Sequence, residues 1–329
     1  MLNSNSLNLQ SMKKWKIIFQ FVLAFTLLGL AVYFIQTQQF ELERIVEHLA
    51  HADLTMVGIG LIFTAVLIGC HAALYFYSFR AIHKEVKYIE LIDLFLKRNV
   101  ISVLLPAGGF TSLSFFSKGL KRKGLSSEQI YLASYLYATI GLISVVLVGI
   151  PFIGIMYFVG HLDYTLLIGL IVLILFLIVL ILLFYSVWKQ KWMYSFLVNK
   201  SPKLEQTINR IVEERFRLKP LIWALVASIF IEIIGVIHMY ISLEAIGVEP
   251  DIVACILAYI AMIILLLASP FLRGMGAIEV SMTFILMKYG YTASESAAST
   301  LLFRFFEFWV LLALGIVAIT IDRVRLFFS

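Results

Sequence analysis

Long apolar runs separated by short polar segments make up most of the chain, and they predict membrane-spanning helices. A helix of about 20 apolar residues crosses the hydrocarbon core of a bilayer. The runs are continuous and do not alternate between polar and apolar residues, as the strands of a barrel would. Six full-length spans are predicted, at residues 16–36, 54–79, 127–158, 163–188, 221–243 and 292–321.

Two further apolar runs are interrupted by proline and glycine. The run at 99–117 is broken at Pro106–Gly109. The run at 253–287 is broken at Pro270–Gly276. Non-helical backbone at membrane depth is tolerated only where protein or a water-filled cavity surrounds it. Two such breaks at matching places in the two halves of the chain predict a binding or transport site near the bilayer midplane.

The placement of basic residues predicts the topology. Lysine and arginine cluster near both termini and in the loops at 80–98, 118–123 and 189–219, and the positive-inside rule places all of these in the cytoplasm. Both ends of the first broken run then lie on the cytoplasmic side, so that run must be re-entrant. The same reasoning makes the second broken run re-entrant from the outside.

The predicted fold is an all-α polytopic membrane protein with six spans plus two re-entrant broken-helix hairpins in inverted repeats. The chain is expected to form a single integral membrane domain over residues 1–329. A span–hairpin–span unit at about 54–158 would recur upside down at about 221–321, because a glycine and a helix-capping signal follow each hairpin. Inverted repeats with broken helices at their centre are a transporter design.

Composition agrees with a membrane protein and narrows the chemistry. Hydrophobic residues form 62% and charged residues 14% of the 329 positions, and the mean hydropathy is +0.98. A soluble domain carries about 25% charged residues. Cys70 and Cys255 lie within apolar runs and are interpreted as packing residues. The six histidines show no metal-binding spacing and no nucleotide-binding loop occurs, so no metal, cofactor or ATP hydrolysis is predicted.

Charged residues inside the apolar runs are the first candidates for a site. Arg273 lies in the second break and Arg304 in the last span, with Glu279 and Glu307 nearby in sequence. A charge at mid-bilayer costs at least about 2.5–3.5 kcal/mol, so such residues face partners or cavities. In one interpretation the arginines bind a lipid phosphate and a carboxylate balances their charge. In the other, the pairs Arg304–Glu307 or Arg273–Glu279 only pin the hairpin to the last helix.

Small and polar residues around the breaks complete the candidate site. Glycines let a ligand approach the backbone, hydroxyls supply donors, and the half-helices after the breaks would direct positive dipole ends at the cavity. Tight hairpin packing is the alternative explanation for the glycines. Glu232 and His238 line the cavity or carry protons in one interpretation, and form structural hydrogen bonds in the other. The lipid-binding candidates are Gly108, Gly109, Thr111, Ser112, Gly274 and Gly276, and the cavity-lining candidates are Asn99, Pro106, Pro270, Glu232 and His238.

These motifs resemble the transmembrane flippase region of the lysylphosphatidylglycerol synthase/flippase family. One departure is Ser114–Lys118, where the family usually has an arginine after its first motif. The resemblance covers most of the chain. It rests on Asn99, Pro106, Gly108, Gly109 and Gly124 in the first half, and on Pro270, Arg273, Gly274, Gly276, Glu279, Gly290, Arg304 and Trp309 in the second.

The resemblance implies that the protein binds an anionic or aminoacylated phospholipid and moves it between leaflets. The soluble aminoacyltransferase domain of bifunctional members is not among the 329 residues, so lipid handling is expected and no enzyme activity. The expected setting is the cell membrane with both termini cytoplasmic. Expected partners are phospholipid, the membrane, and a second copy or a separate lipid-modifying enzyme, with no nucleic acid. A non-transporting lipid-binding scaffold and a membrane-embedded transferase acting on lipid-linked substrates are the alternatives.

Overall fold

The computed structural model describes residues 39–104, 120, 124–159, 164–198, 209, 216–268 and 276–328. All the secondary structure in these ranges is helical. The chain divides into two compact units, Met1–His51 and Ala52–Ser329. In the described part of the first unit, helix α1 (Gln39–Ala50) is amphipathic.

The second unit contains the apolar helices. In chain order they are α2 (Leu54–Ala81), α3 (Tyr88–Leu104), α4 (Ser127–Val159), α5 (Tyr164–Trp188), α6 (Trp192–Val198), α7 (Leu218–Ala245), α8 (Ile252–Ala268), α9 (Ala277–Lys288) and α10 (Ala293–Arg304), followed by a π-helical segment (Phe305–Trp309) and α11 (Val310–Phe328).

Four of the predicted spans form helices that are long and apolar enough to cross a membrane. They are Leu54–Ala81, Ser127–Pro151, Leu218–Ala245 and Ala293–Ile321. The predicted span at 163–188 forms α5, and the one at 16–36 lies outside the described residues. The protein is therefore an all-helical, multi-pass membrane protein, and the count of six spans stays a prediction.

Helices α2 and α7 form an antiparallel pair at the centre of this unit. The backbone N–H of Asp53, just before α2, donates to the carbonyl of Ala245 at the end of α7, at 2.7 Å. The N–H of Arg217, just before α7, donates in the same way to the carbonyl of Ala81 at the end of α2, at 2.9 Å. The two helices are thus joined at both ends by equivalent contacts, and α4 packs against both.

The element boundaries of the two halves also correspond. Helices α2 and α7 have 28 residues each, and α3 and α8 have 17 each. Each boundary in the second half follows its counterpart by the same number of positions: Leu218 follows Leu54, Ala245 follows Ala81, Ile252 follows Tyr88 and Ala268 follows Leu104. This correspondence and the antiparallel pair support the inverted repeat, which stays a prediction.

Pro106–Gly109 of the first break and Pro270–Gly274 of the second lie outside the described residues. The helices beside the second break are short. Helix α9 has 12 residues and packs against α8. At 1.5 Å per residue it extends only about 18 Å, which is less than the roughly 30 Å of hydrocarbon that a span must cross. This length suits a re-entrant hairpin. The re-entrant paths themselves stay predictions.

Candidate functional site

Arg304 lies at the end of α10 and is nearly buried. One nitrogen of its guanidinium makes a hydrogen bond, and another has no hydrogen-bond partner among the described residues. Its Nε donates to Glu279 Oε1 of α9 at 2.7 Å. The residue is only 4% exposed. Its Nη2 is buried and has no hydrogen-bond partner among the described residues. The guanidinium also lies over the ring of Phe308, 4.5 Å from its centroid. The side chain therefore keeps donor capacity for a ligand or water.

Glu279 connects the start of α9 to α10. Its Oε2 accepts a hydrogen bond from the backbone N–H of Gly276 at 2.6 Å, while Oε1 accepts from Arg304. Gly276 has a φ of +86°, in the left-handed region that favours glycine. Glu279 thus holds the second broken run against the last helix, as in the structural interpretation of the charged residues. The pair that does so is Glu279–Arg304.

The expected pair Arg304–Glu307 is not formed. Glu307 Oε1 instead lies 2.6 Å from His238 Nδ1 of α7. The physical reason is the π-helical segment that begins directly after Arg304, because its wider turn breaks the regular spacing of an α-helix. Arg304 consequently faces α9 and Glu307 faces α7. Single π-helical turns occur often at functional sites.

His238 links α7, α2 and the π-helical segment in a buried cluster. Its Nε2 lies 3.1 Å from the carbonyl oxygen of Gly60 and 3.3 Å from Thr64 Oγ1. A carbonyl only accepts, so Nε2 carries a proton and donates to it. The bond between Nδ1 and Glu307 then contains one proton, held by the imidazole or by the carboxyl group. In either state this pair is neutral overall.

Glu232 lies six residues before His238 on α7 and has hydroxyl partners. Tyr259 Oη of α8 donates to its Oε2 at 3.0 Å, and Ser144 Oγ of α4 lies 3.0 Å from its Oε1. Ser228 Oγ is 2.8 Å from Ser144 Oγ. Gly235 makes the contact with α8 possible, because a Cβ there would overlap the ring of Tyr259. This cluster joins an element of the first half to two of the second.

A polar stripe on α10 leads to Arg304. Ser296, Thr300 and Arg304 follow each other at four-residue spacing and so lie on one helix face. All three are buried, and the hydroxyls of Ser296 and Thr300 have no hydrogen-bond partner in the described part of the chain. Three unsatisfied polar groups on one buried face indicate water or ligand at that face.

The structure brings together five of the predicted site residues in two groups: Arg304, Glu279 and Gly276 form one, and His238 and Glu307 form the other. Asn99 is buried on α3, and its carbonyl accepts from Ser102 Oγ of the same helix at 2.7 Å. Within the described ranges, no group of three or more His, Cys, Asp or Glu residues is arranged to hold a metal. The remaining candidates lie outside the described residues: Pro106, Gly108, Gly109, Thr111, Ser112, Pro270, Arg273 and Gly274.

Sequence reasoning did not find the hydroxyl partners of the buried acids. Ser228 lies one helical turn before Glu232, and that spacing was visible in the sequence. Ser144 and Tyr259 belong to other helices, so only the packing of those helices brings them to Glu232.

Comparison with protein families decides the identity of this fold. Residues 17–315 match the family described as the lysylphosphatidylglycerol synthase TM region. The chain belongs to this family. Among curated proteins no match is found. The match confirms the resemblance seen in the motifs, and membership of this family indicates a lipid-related function in the membrane.

Proposed function

We propose that this protein binds an anionic or aminoacylated phospholipid and moves it between the leaflets of the cell membrane. The observation that carries the proposal is the buried guanidinium of Arg304, whose Nη2 has no partner among the described residues. A buried donor without a partner costs about 1–3 kcal/mol, and more when it is charged. A phosphate oxygen would satisfy this donor with a charge-assisted hydrogen bond.

The surroundings of Arg304 suit a lipid headgroup. Glu279 balances the guanidinium only in part, because it shares its carboxylate with the backbone of Gly276 and its side chain is 26% exposed. The hydroxyls of Ser296 and Thr300 provide further polar contacts along the same face of α10. Together with Arg304 they form a polar path along α10, which a headgroup needs in order to cross the hydrocarbon core.

The arrangement of the helices favours translocation over static binding. An antiparallel central pair, α2 and α7, flanked by equivalent helices is the expected frame of an inverted-repeat transporter. In the proposed topology both termini are cytoplasmic and the two broken runs enter from opposite faces. Transport without catalysis is proposed for the chain, either as a homo-oligomer or beside a separate lipid-modifying enzyme.

Reconstitution in vesicles tests this function. A fluorescent phospholipid in the inner leaflet is protected from an impermeant quencher until it is moved outwards. Vesicles with wild-type protein should lose this protection faster than protein-free vesicles. Arg304→Gln should slow the movement at least about tenfold, the loss of some 1.4 kcal/mol of phosphate binding. The matched control is Arg217→Gln, which removes an exposed arginine next to α7.

Two outcomes would contradict the proposal. Equal rates in wild-type and protein-free vesicles, together with retained lipid binding, would identify the protein as a scaffold. An unchanged rate in folded Arg304→Gln would remove this arginine from the lipid path.

A further inference from the structure

We propose that Glu232 is a proton-binding site and that its protonation is coupled to lipid movement. The proton-binding site rests on the geometry of the Glu232 cluster, which consists of Glu232, Ser144, Ser228 and Tyr259. The coupling also rests on the proposed function, because it requires that lipid moves.

The hydrogen bonds around Ser144 can accommodate a proton on Glu232. A hydroxyl has one proton to donate. Ser144 Oγ has two acceptors within reach, the carbonyl oxygen of Gly141 at 2.8 Å and Glu232 Oε1 at 3.0 Å. When the proton of Ser144 goes to the nearer acceptor, Gly141, the contact with Glu232 is a hydrogen bond only if Oε1 donates. This arrangement, in which the carboxyl group is protonated, is the one that the proposal assigns.

The remaining contacts of the cluster agree with a neutral acid. Ser228 can donate to Ser144 Oγ over 2.8 Å, and Tyr259 donates to Glu232 Oε2 over 3.0 Å. When Glu232 is protonated, its own proton and the hydroxyl protons of Ser144, Ser228 and Tyr259 each have one acceptor. Loss of the proton would force the Ser144 hydroxyl to turn from Gly141 towards Glu232. The cluster thus has two distinct hydrogen-bonded states.

The charges around Glu232 also favour the protonated form. No cation contacts it among the described residues, since Arg304 bonds to Glu279 and His238 to Glu307. A buried carboxylate without a cation is strongly disfavoured. The titratable and charged side chains on the elements around it include Tyr259 and Cys255 of α8, Glu307 of the π-helical segment, Arg304 of α10, Tyr137 of α4, His71 of α2 and His238 of α7 itself.

The position of Glu232 explains how its proton would affect the whole protein. It joins α4 through Ser144 to α8 through Tyr259, and α8 forms the part of the second broken run that precedes the break. Release of the proton to water leaves a buried carboxylate whose contacts among the described residues are hydroxyl groups. The new charge then disfavours the packing of α4 and α8 around it. A change of one charge can bias a two-state packing of this kind.

Infrared spectroscopy of the full-length protein in detergent tests the proton site without any transport. Wild-type protein at neutral pH should show the C=O stretch of a protonated carboxylic acid, which weakens as the pH rises. Glu232→Gln should remove this absorption and leave the protein folded, because the amide replaces a neutral acid of the same shape. The matched control is Glu244→Gln, an exposed residue of the same helix, which should retain the absorption. Identical spectra for all three proteins would overturn the site.

Lipid movement under a transmembrane pH difference tests the coupling. The wild-type rate should change by up to about tenfold per pH unit, the limit for one bound proton, and a protonophore should abolish the effect. Glu232→Gln should move lipid at a rate independent of the pH difference, whereas Glu244→Gln should behave as wild type. The coupling would be overturned by a wild-type rate that does not depend on the pH difference, or that depends on a Na⁺ gradient instead. No movement at all would overturn the proposed function together with the coupling, while the infrared result would still decide the proton site.

Discussion

Glu279 makes two kinds of contact, and a second glutamate of the chain makes only one of them. Glu279 Oε2 accepts from the N–H of Gly276 just before α9, and Oε1 accepts from Arg304. Glu295 Oε2 accepts in the same way from the N–H of Thr292 just before α10. Both residues make the capping contact, but only Glu279 also forms an ion pair with an arginine. Comparing them isolates the contribution of the ion pair to stability.

Glu279→Gln should destabilise the protein more than Glu295→Gln. Both changes weaken a helix cap, but only the first leaves the charge of Arg304 without its carboxylate. A fully buried pair loses about 3–5 kcal/mol when one partner is removed, and we expect about 1–3 kcal/mol here because Glu279 is 26% exposed. Thermal or denaturant unfolding in detergent measures the difference. Equal losses for the two variants would show that the ion pair does not stabilise the fold.

At the scale of elements, the contact between α7 and α8 depends on the absence of a side chain at Gly235. Gly235→Ala should displace Tyr259 and cost about 1–3 kcal/mol, as overpacking in a core does. Gly58→Ala on α2 is the matched control, since nothing lies within 4 Å of a Cβ there. It should be neutral or stabilising, because alanine favours a helix interior over glycine. Equal melting temperatures for both variants would mean that α7 and α8 are not in close contact.

The polar stripe of α10 should be accessible to water. In a background without Cys70 and Cys255, cysteines at Ser296 and Thr300 should react with a small water-soluble thiol reagent. A cysteine at Ala298, which is fully buried on the same helix, should stay unreactive. The two positions of the stripe differ from the control in carrying hydroxyls that have no hydrogen-bond partner among the described residues. Equal protection of all three would show that the stripe is dry and is not a path to Arg304.

The sequence predicted elements better than it predicted contacts between them. The runs at 54–79 and 221–243 became α2 and α7 because long apolar stretches define spans without reference to partners. The sequence also indicated that Glu279 pairs with a charged residue of the last span, since charges in apolar runs require partners. The pairing of Glu307 with His238 was not predictable, because it depends on a π-helical turn and on the antiparallel approach of α2 and α7.

The whole molecule belongs to a family with a lipid-related function and has a central antiparallel pair of helices. It also has a buried arginine with one donor that finds no partner among the described residues. The arginine is the part on which the others converge. It lies in the last span, and Glu279 connects it to the second broken run. Its role is either to bind the lipid phosphate or only to hold these two elements together.

The translocation rate of the double variant Glu279→Gln with Arg304→Gln separates these roles most directly. Removing both charges leaves no buried charge without its partner, so the double variant should regain most of the stability that either single variant loses. If Arg304 binds the lipid phosphate, lipid movement should stay at least about tenfold below wild type despite the restored stability. Movement at the wild-type rate in the double variant would contradict the account and make Arg304 a structural residue.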